Sequence, residues 1–169
     1  LTTGGLKAVG GGFLAFYVAV YTANAWYDVL LNTFLLALFT NMLNLFDLRP
    51  GRAVKGWLFF LLLLCAAAGF KIDYWLLLPL LGAVLYYFPR DLKAQVMMGD
   101  AGSNVLGFAL GFLAVVGLPR PLRLAFLLFL IAIHIYTEKY SLTKTIENNA
   151  VLRAIDMLGR NEAKQNEGG

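Results

Sequence analysis

The chain has 169 residues, 60% hydrophobic and 14% charged, with a formal net charge of +4. Soluble domains are nearer half apolar and a quarter charged, which excludes an ordinary water-soluble enzyme. The positive charge calls for no nucleic acid, because anionic headgroups and phosphorylated substrates suffice. One cysteine, Cys65, and one histidine, His134, exclude an internal disulfide, a cysteine metal site and a multi-histidine zinc site.

The charges are clustered, leaving uncharged runs over 8–27, 29–46, 56–70, 74–89, 101–119 and 124–137. A spanning helix needs about 20 apolar residues, roughly 17 at the lower end. The three shorter runs reach that length by borrowing flanks, with Lys55, Lys71, Arg90 and Arg123 snorkelling. Segments 58–68 and 75–88 are apolar all round, whereas soluble helices keep a polar face. The expected fold is all-α: a polytopic membrane bundle of about six transmembrane helices over 1–137, then a tail over 138–169.

In chain order, Lys7 precedes the first helix as an anchor or a phosphate contact. Gly10-Gly11-Gly12 follows no strand and is no nucleotide loop, so close packing or a local break is expected. The second helix ends in Asn41-Met42-Leu43-Asn44-Leu45-Phe46-Asp47. Asn41, Asn44 and Asp47, spaced i, i+3, i+6, share one arc of a helix. Polar groups ending an apolar span usually mark a site, and the plain alternative is a polar helix terminus. Arg49, Arg52 and Lys55 lie on a Pro50-Gly51 turn as a phosphate clamp or as ordinary anchoring. Cys65 reads as an apolar filler of the third helix. After the fourth comes Met98-Gly99-Asp100-Ala101-Gly102-Ser103. Asp100 is either the N-cap of the fifth helix or a ligand for Mg²⁺, which binds one or two carboxylates and substrate phosphates. Its small neighbours and Ser103 suit phosphate. Gly107 and Gly111 form a G-x-x-x-G packing pair. His134 in the sixth helix reads as an interhelical hydrogen-bonding residue, with proton transfer as the alternative.

The tail spaces Leu142, Ile146, Val151, Leu152, Ile155 and Leu158 loosely along one face, broken near Asn148-Asn149. One or two short interfacial amphipathic helices are expected there, with disorder over 161–169.

Six alternating helices put Lys7, Arg49, Arg52, Lys55, Arg90, Lys93, Lys139, Lys144, Arg153, Arg160 and Lys164 on the side holding Asp47. The other side receives only Lys71, Arg120 and Arg123. The positive-inside bias makes the first side cytoplasmic, and Asp47 and Asp100 fall there together. Trp26, Tyr27, Tyr74, Trp75, Tyr86 and Tyr87 sit where interfacial aromatic belts would lie. A transporter suits intramembrane polar groups too, but its sites tend toward the midplane, and both acidic spots here are at one face.

N-x-x-N-x-x-D at Asn41, Asn44 and Asp47, followed two helices later by M-G-D-x-G-S at Met98–Ser103, resembles the polyprenyl-phosphate N-acetylhexosamine-1-phosphate transferases, glycosyltransferase family 4. The stretch Leu1-Thr2-Thr3-Gly4-Gly5-Leu6-Lys7 resembles that family as well, and the similarity covers roughly 1–137. The resemblance implies a multi-pass plasma-membrane enzyme with its active face and C-terminus cytoplasmic. It would move a hexosamine-1-phosphate from a UDP-sugar to polyprenyl phosphate for peptidoglycan, teichoic-acid or related envelope glycans. It further implies Mg²⁺, or Mn²⁺ in its place, at Asp100 and Asp47 as the metal-binding and catalytic carboxylates. Asn41, Asn44, Arg49, Arg52, Lys55, Lys7 and Ser103 would serve as substrate contacts, and a homodimer is left open. Three departures accompany it. No aspartate-rich loop precedes this region and the helices are fewer, so with Leu first the chain is expected to be the C-terminal part of a longer protein. Leu48-Arg49-Pro50-Gly51-Arg52 replaces the family's D-G-x-D-G continuation. The histidine-rich loop of the pentapeptide-transferring branch is absent, which argues against that substrate and leaves as the alternative a catalytically inactive, transferase-like membrane protein that binds lipid phosphate or envelope enzymes.

Overall fold

The computed structural model describes residues 3–69 and 74–160, and among side chains not those of residues 3–8 and 76. Among the described residues eight helices follow one another: α1 (Thr3–Thr22), α2 (Trp26–Phe46), α3 (Arg52–Ala67), α4 (Tyr74–Leu92), α5 (Gly99–Gly117), α6 (Arg120–Lys139), α7 (Leu142–Asn148) and α8 (Ala150–Met157). The protein is an all-helical membrane bundle with a short helical tail. Helices α2, α5 and α6 are each long and apolar enough to cross a membrane, and α1 carries a shorter apolar stretch over Val9–Thr22. Large apolar side chains cover the outside: Phe13, Phe34, Phe59, Leu62, Trp75 and Leu128 are all exposed, as expected where lipid rather than water is the solvent.

Helix α2 is the centre. Leu35, Leu36, Phe39, Met42 and Leu43 have no exposed surface, because α1, α3, α5 and α6 all pack around α2. Contact with α5 runs through glycine. A Cβ on Gly107 would lie 2.6 Å from the Phe39 carbonyl oxygen and 2.6 Å from the Thr40 Cα, and one on Gly111 would lie 2.9 Å from the Leu36 Cα. The two backbones therefore touch, the geometry that small-xxx-small pairs allow in membranes. Trp57 of α3, fully buried, donates its indole N–H to the Leu106 carbonyl at 3.1 Å and locks α3 onto the same helix. Small Ala15 and Ala19 bring α1 against this core.

Several local expectations change. α1 runs unbroken through Gly10–Gly12, and nothing among the described residues lies within 4 Å of a Cβ at any of the three. They are neither a break nor a packing contact. α4 continues through Pro89 to Leu92, beyond the uncharged run that ends at residue 89, so Arg90 and Asp91 are helical. His134 bonds within its own helix, Nδ1 to the Leu130 carbonyl at 2.7 Å, while buried Nε2 has no partner among the described residues. The interhelical bond expected of it does not form. The tail does form two helices, parted at Asn149, whose side chain accepts from the N–H groups of Val151 and Leu152. Residues 161–169, Lys71 and Lys164 lie outside the described residues, as does the side chain of Lys7.

At the end of the bundle away from Asp47, a polar staple crosses the core. Asp28, fully buried, accepts two hydrogen bonds from Arg120, Nε and Nη2 at 3.0 Å each, with Arg123 Nη2 at 3.6 Å. Arg123 Nη1 also donates to the Asn32 Oδ1 at 2.6 Å, and Asn32 donates to the Thr22 hydroxyl at 3.2 Å. Helices α1, α2 and α6 are thus tied at one point. A carboxylate is tolerated at such depth only when paired in this manner. Two of the three cations read on that side pair with this acid, which leaves one positive charge in excess.

Candidate active site

At the other end, the C-terminus of α2, the N-terminus of α3, the last turn of α4 and the first turn of α5 meet. Asp47 caps α2, with its N–H bonded to the carbonyls of Leu43 and Asn44 at 3.2 Å each. It lies close enough to the start of α5 for the Gly99 N–H and the Asp100 charge to act on its carboxylate. The glycine contact between α2 and α5, two turns deeper, sets this juxtaposition. The pairing continues at Ser103, fully buried, whose single hydroxyl proton is shared between the Asn44 Oδ1 at 3.2 Å and the Gly99 carbonyl at 3.1 Å. Ser103 therefore holds Asn44 and faces away from solvent. Asp100 stands in the first turn of α5 with Met98 as N-cap, so the N-cap alternative does not hold. Asn41 is exposed, one turn from Asn44.

A third carboxylate belongs to the cluster. Asp91, 2% exposed, accepts from the Gly51 N–H at 3.0 Å and from the Tyr87 hydroxyl at 3.4 Å. Gly51 makes this bond from a left-handed conformation, φ +75, and a Cβ there would meet the Leu92 side chain. Glycine is the residue that turn admits. The sequence carried a signal for Asp91: an acid beside Arg90, just past the apolar run, at the same end as Asp47 and Asp100. Burial pushes the Asp47 carboxyl above its ordinary value, the Asp91 charge adds to that, the Gly99 N–H opposes it, and the Asp100 charge raises it further. Burial likewise raises Asp91, against the Gly51 and Tyr87 bonds and the positive charges of Arg160 and Lys55. Crowded carboxylates of this kind gain from a cation.

The cations of the clamp are arranged differently from the expectation of free phosphate ligands. Arg52, 5% exposed, grips Asp156 of α8 through Nε at 2.8 Å and Nη2 at 3.0 Å and gives Nη1 to the Thr143 hydroxyl at 3.0 Å. Lys55 Nζ donates to the Ile155 carbonyl at 3.0 Å and the Asp156 carbonyl at 2.7 Å. Arg160 returns to the Pro50 carbonyl at 2.8 Å. Arg49 pairs with Glu147 at 2.8 Å, both half exposed. The tail thus straps the loop between α2 and α3, a relationship that spacing along the chain does not reveal.

Beside the acids, an apolar cleft of about 420 Å³ opens between α4 and α5, lined by Leu80, Ala83, Val84, Tyr87, Met97, Met98, Ala101, Gly102, Val105 and Leu106. Tyr87, which bonds Asp91, and Ala101, next to Asp100, join it to the polar cluster. As to a divalent cation, no group of three His, Cys, Asp or Glu side chains forms a ready ligand set among the described residues. Mg²⁺ commonly takes only one or two carboxylates from protein and the rest from phosphate and water, a demand that Asp47 and Asp100 at one end of the bundle could meet.

Residues 3–118 match the family described as glycosyl transferase family 4. The chain is similar to a phospho-N-acetylmuramoyl-pentapeptide-transferase of Syntrophus aciditrophicus (strain SB), 32% identical over 122 residues, which cover 61% of this chain and 34% of that protein. The chain thus spans about a third of the length of the curated relative it matches. No solved structure matches it.

Proposed function

Because the chain belongs to glycosyl transferase family 4, we propose that it carries the acidic half-site of a membrane glycosyl-1-phosphate transferase. The reaction moves an N-acetylhexosamine-1-phosphate from a UDP-sugar to polyprenyl phosphate at the cytoplasmic leaflet of the plasma membrane. An oxygen of the lipid phosphate attacks the sugar-side phosphorus. A new P–O bond forms, the bond from that phosphorus to the bridging oxygen breaks, and UMP leaves with that oxygen. Such transfers between anions depend on positioning and charge neutralisation.

The chain's residues divide this work. Asp47 and Asp100 would hold Mg²⁺ or Mn²⁺, which supplies charge neutralisation to the diphosphate. Asn44, oriented by Ser103, and the exposed Asn41 offer amides to the nucleotide-sugar. Arg49, in a half-exposed pair it can exchange, offers a guanidinium to phosphate, and Lys7 is assigned there too. Arg52 and Lys55 place the loop through the tail. The apolar cleft between α4 and α5 suits an isoprenoid chain whose phosphate reaches the carboxylates. The reading is supported most by the bond from Ser103 of α5 to Asn44 of α2 at 3.2 Å, which brings the turns carrying Asp100 and Asp47 to one end of the bundle.

The experiment is UMP release by the complete gene product in liposomes containing undecaprenyl phosphate, with UDP-N-acetylglucosamine and UDP-N-acetylmuramoyl-pentapeptide offered in turn. Turnover that needs a divalent cation and disappears in Asp47→Asn and Asp100→Asn is expected. Full turnover in both variants refutes the assignment. Nucleotide-sugar binding without turnover establishes instead the inactive, lipid-phosphate-binding relative.

A further inference from the structure

The junction of α6 and α7 holds a second polar cleft, of about 550 Å³, to which none of the acidic cluster contributes. Its walls include Lys139, Lys144, Asn148 and Asn149, with Tyr136 and Tyr140 stacked at 5.0 Å, and no carboxylate lines it. The Tyr136 hydroxyl meets the Thr145 hydroxyl at 2.9 Å, so the membrane helix and the tail helix hold the two walls together. Lys139 and Lys144 make no ion pair among the described residues, whereas Arg49, Arg52 and Arg160 are all paired with acids. Two unpaired cations facing amide and hydroxyl donors are the chemistry of a phosphate site, in a volume ordinary for a small ligand.

Two further observations select the ligand. α6 has the length and apolarity to cross a membrane and Lys139 is its last residue, so the cleft lies at headgroup depth. α8 and its capping residue Leu158 then present Val151, Ile155 and Leu158 exposed, while Asp156 faces the bundle. At about 100° per residue these three, with Leu152, cover a single arc turned to one side of the Asp156 docking face. The strap between Arg52 and Asp156 keeps that arc at the end of the membrane helices, as an interfacial helix requires.

We infer that residues 139–158 form a binding site for an anionic phospholipid of the surrounding leaflet, with the phosphate between Lys139 and Lys144 and the α8 arc at the headgroup–acyl boundary. This holds whether or not the acidic cluster is catalytic.

The probe is phosphatidylglycerol. Full-length protein in nanodiscs of mixed phosphatidylglycerol and phosphatidylcholine is released and its retained lipid counted by native mass spectrometry. Preferential retention of phosphatidylglycerol is expected, falling about fivefold for each of Lys139→Gln and Lys144→Gln, the loss expected per cation near an anionic leaflet. Both side chains are exposed, so the variants fold, and an unchanged melting temperature verifies that. In a Cys65→Ala background, a fluorophore on Val151→Cys should be quenched by headgroup-proximal spin-labelled lipid and shielded from aqueous iodide. Equal retention of both lipids by wild type and variants overturns the inference, as does full iodide access at position 151. Displacement of phosphatidylglycerol by millimolar inorganic phosphate, with the same lysine dependence, assigns the cleft to a soluble phosphate and overturns the lipid.

Discussion

Arg52 donates two hydrogen bonds to Asp156, 104 positions later in the chain, at 2.8 and 3.0 Å, and both side chains are almost wholly buried. Arg52 begins α3 immediately after the loop that carries Asp47. Asp156 belongs to an eight-residue helix that would not persist in isolation. The pair is what converts a tail into part of the site's frame. Removing one partner of a buried pair costs about 3–5 kcal/mol because the other charge is stranded. Asp156→Asn strands Arg52 and Arg160 and is expected to release α7 and α8 while the bundle stays intact. Hydrogen exchange across 142–157 should rise by two orders of magnitude or more, with α2 and α5 unchanged. Unaltered exchange in the tail would show that the strap is held by other contacts.

Acid should act on the same pair. Burial pushes the Asp156 carboxyl up, but the hydrogen bonds and charge of Arg52, with Arg160 and Lys55, outweigh it and hold the group below the ordinary aspartate value of 3.8. A depressed carboxyl contributes stability that is complete above the unfolded value and is lost as pH falls through the folded one. Tail docking, followed by fluorescence at position 151, is therefore expected to be flat from neutral pH down to about 4 and to fail only below that. Release near pH 6 would implicate a different group.

The staple at the far end makes a different prediction. Asp28→Leu leaves Arg123 buried without its carboxylate and should lower stability in detergent by about 3–5 kcal/mol. Asp28→Leu combined with Arg123→Leu removes both buried charges and leaves only Arg120, whose half-exposed side chain can turn to water, and well-packed apolar replacements of buried pairs are often neutral or stabilising. The double variant should therefore recover most of the loss. Additive loss in the double variant would show that the pair is not coupled.

Glycine offers a graded test of the core. Replacing a helical glycine with alanine gains up to about 1 kcal/mol from backbone entropy. At Gly107 the added methyl meets backbone atoms at 2.6 Å, and overpacking costs about 1–3 kcal/mol, so the clash wins. Gly107→Ala should lower the melting temperature, while Gly82→Ala, with nothing within 4 Å, should leave it unchanged or raise it. The reverse order would mean that α2 and α5 can separate at little cost.

What the sequence made legible was local or periodic. Apolar runs mark the six long helices, and the interruption at Asn148-Asn149 marks the division of the tail. The arc of Asn41, Asn44 and Asp47 was visible because a helix converts spacing into direction. Asp28 was visible too, as the single charge parting two apolar runs, but its meaning depends on Arg120 and Arg123, 92 and 95 positions away, and spacing carries no such information. The same holds for Arg52, Lys55 and Arg49. A basic loop reads alike whether its charges face phosphate or a distant acid. Ser103 looked like a phosphate contact because small hydroxyl residues at a helix start often are, and its full burial against Asn44 arises only from the neighbouring helix.

The Gly107 contact bears on how well the two acidic turns are held. Where helices meet through side chains, rotamer changes and repacking let their separation breathe. Here main chain rests on main chain, so no adjustable layer remains between α2 and α5. The interval between positions 47 and 100 behaves as a ruler built into the frame, indifferent to what covers the outside of the bundle.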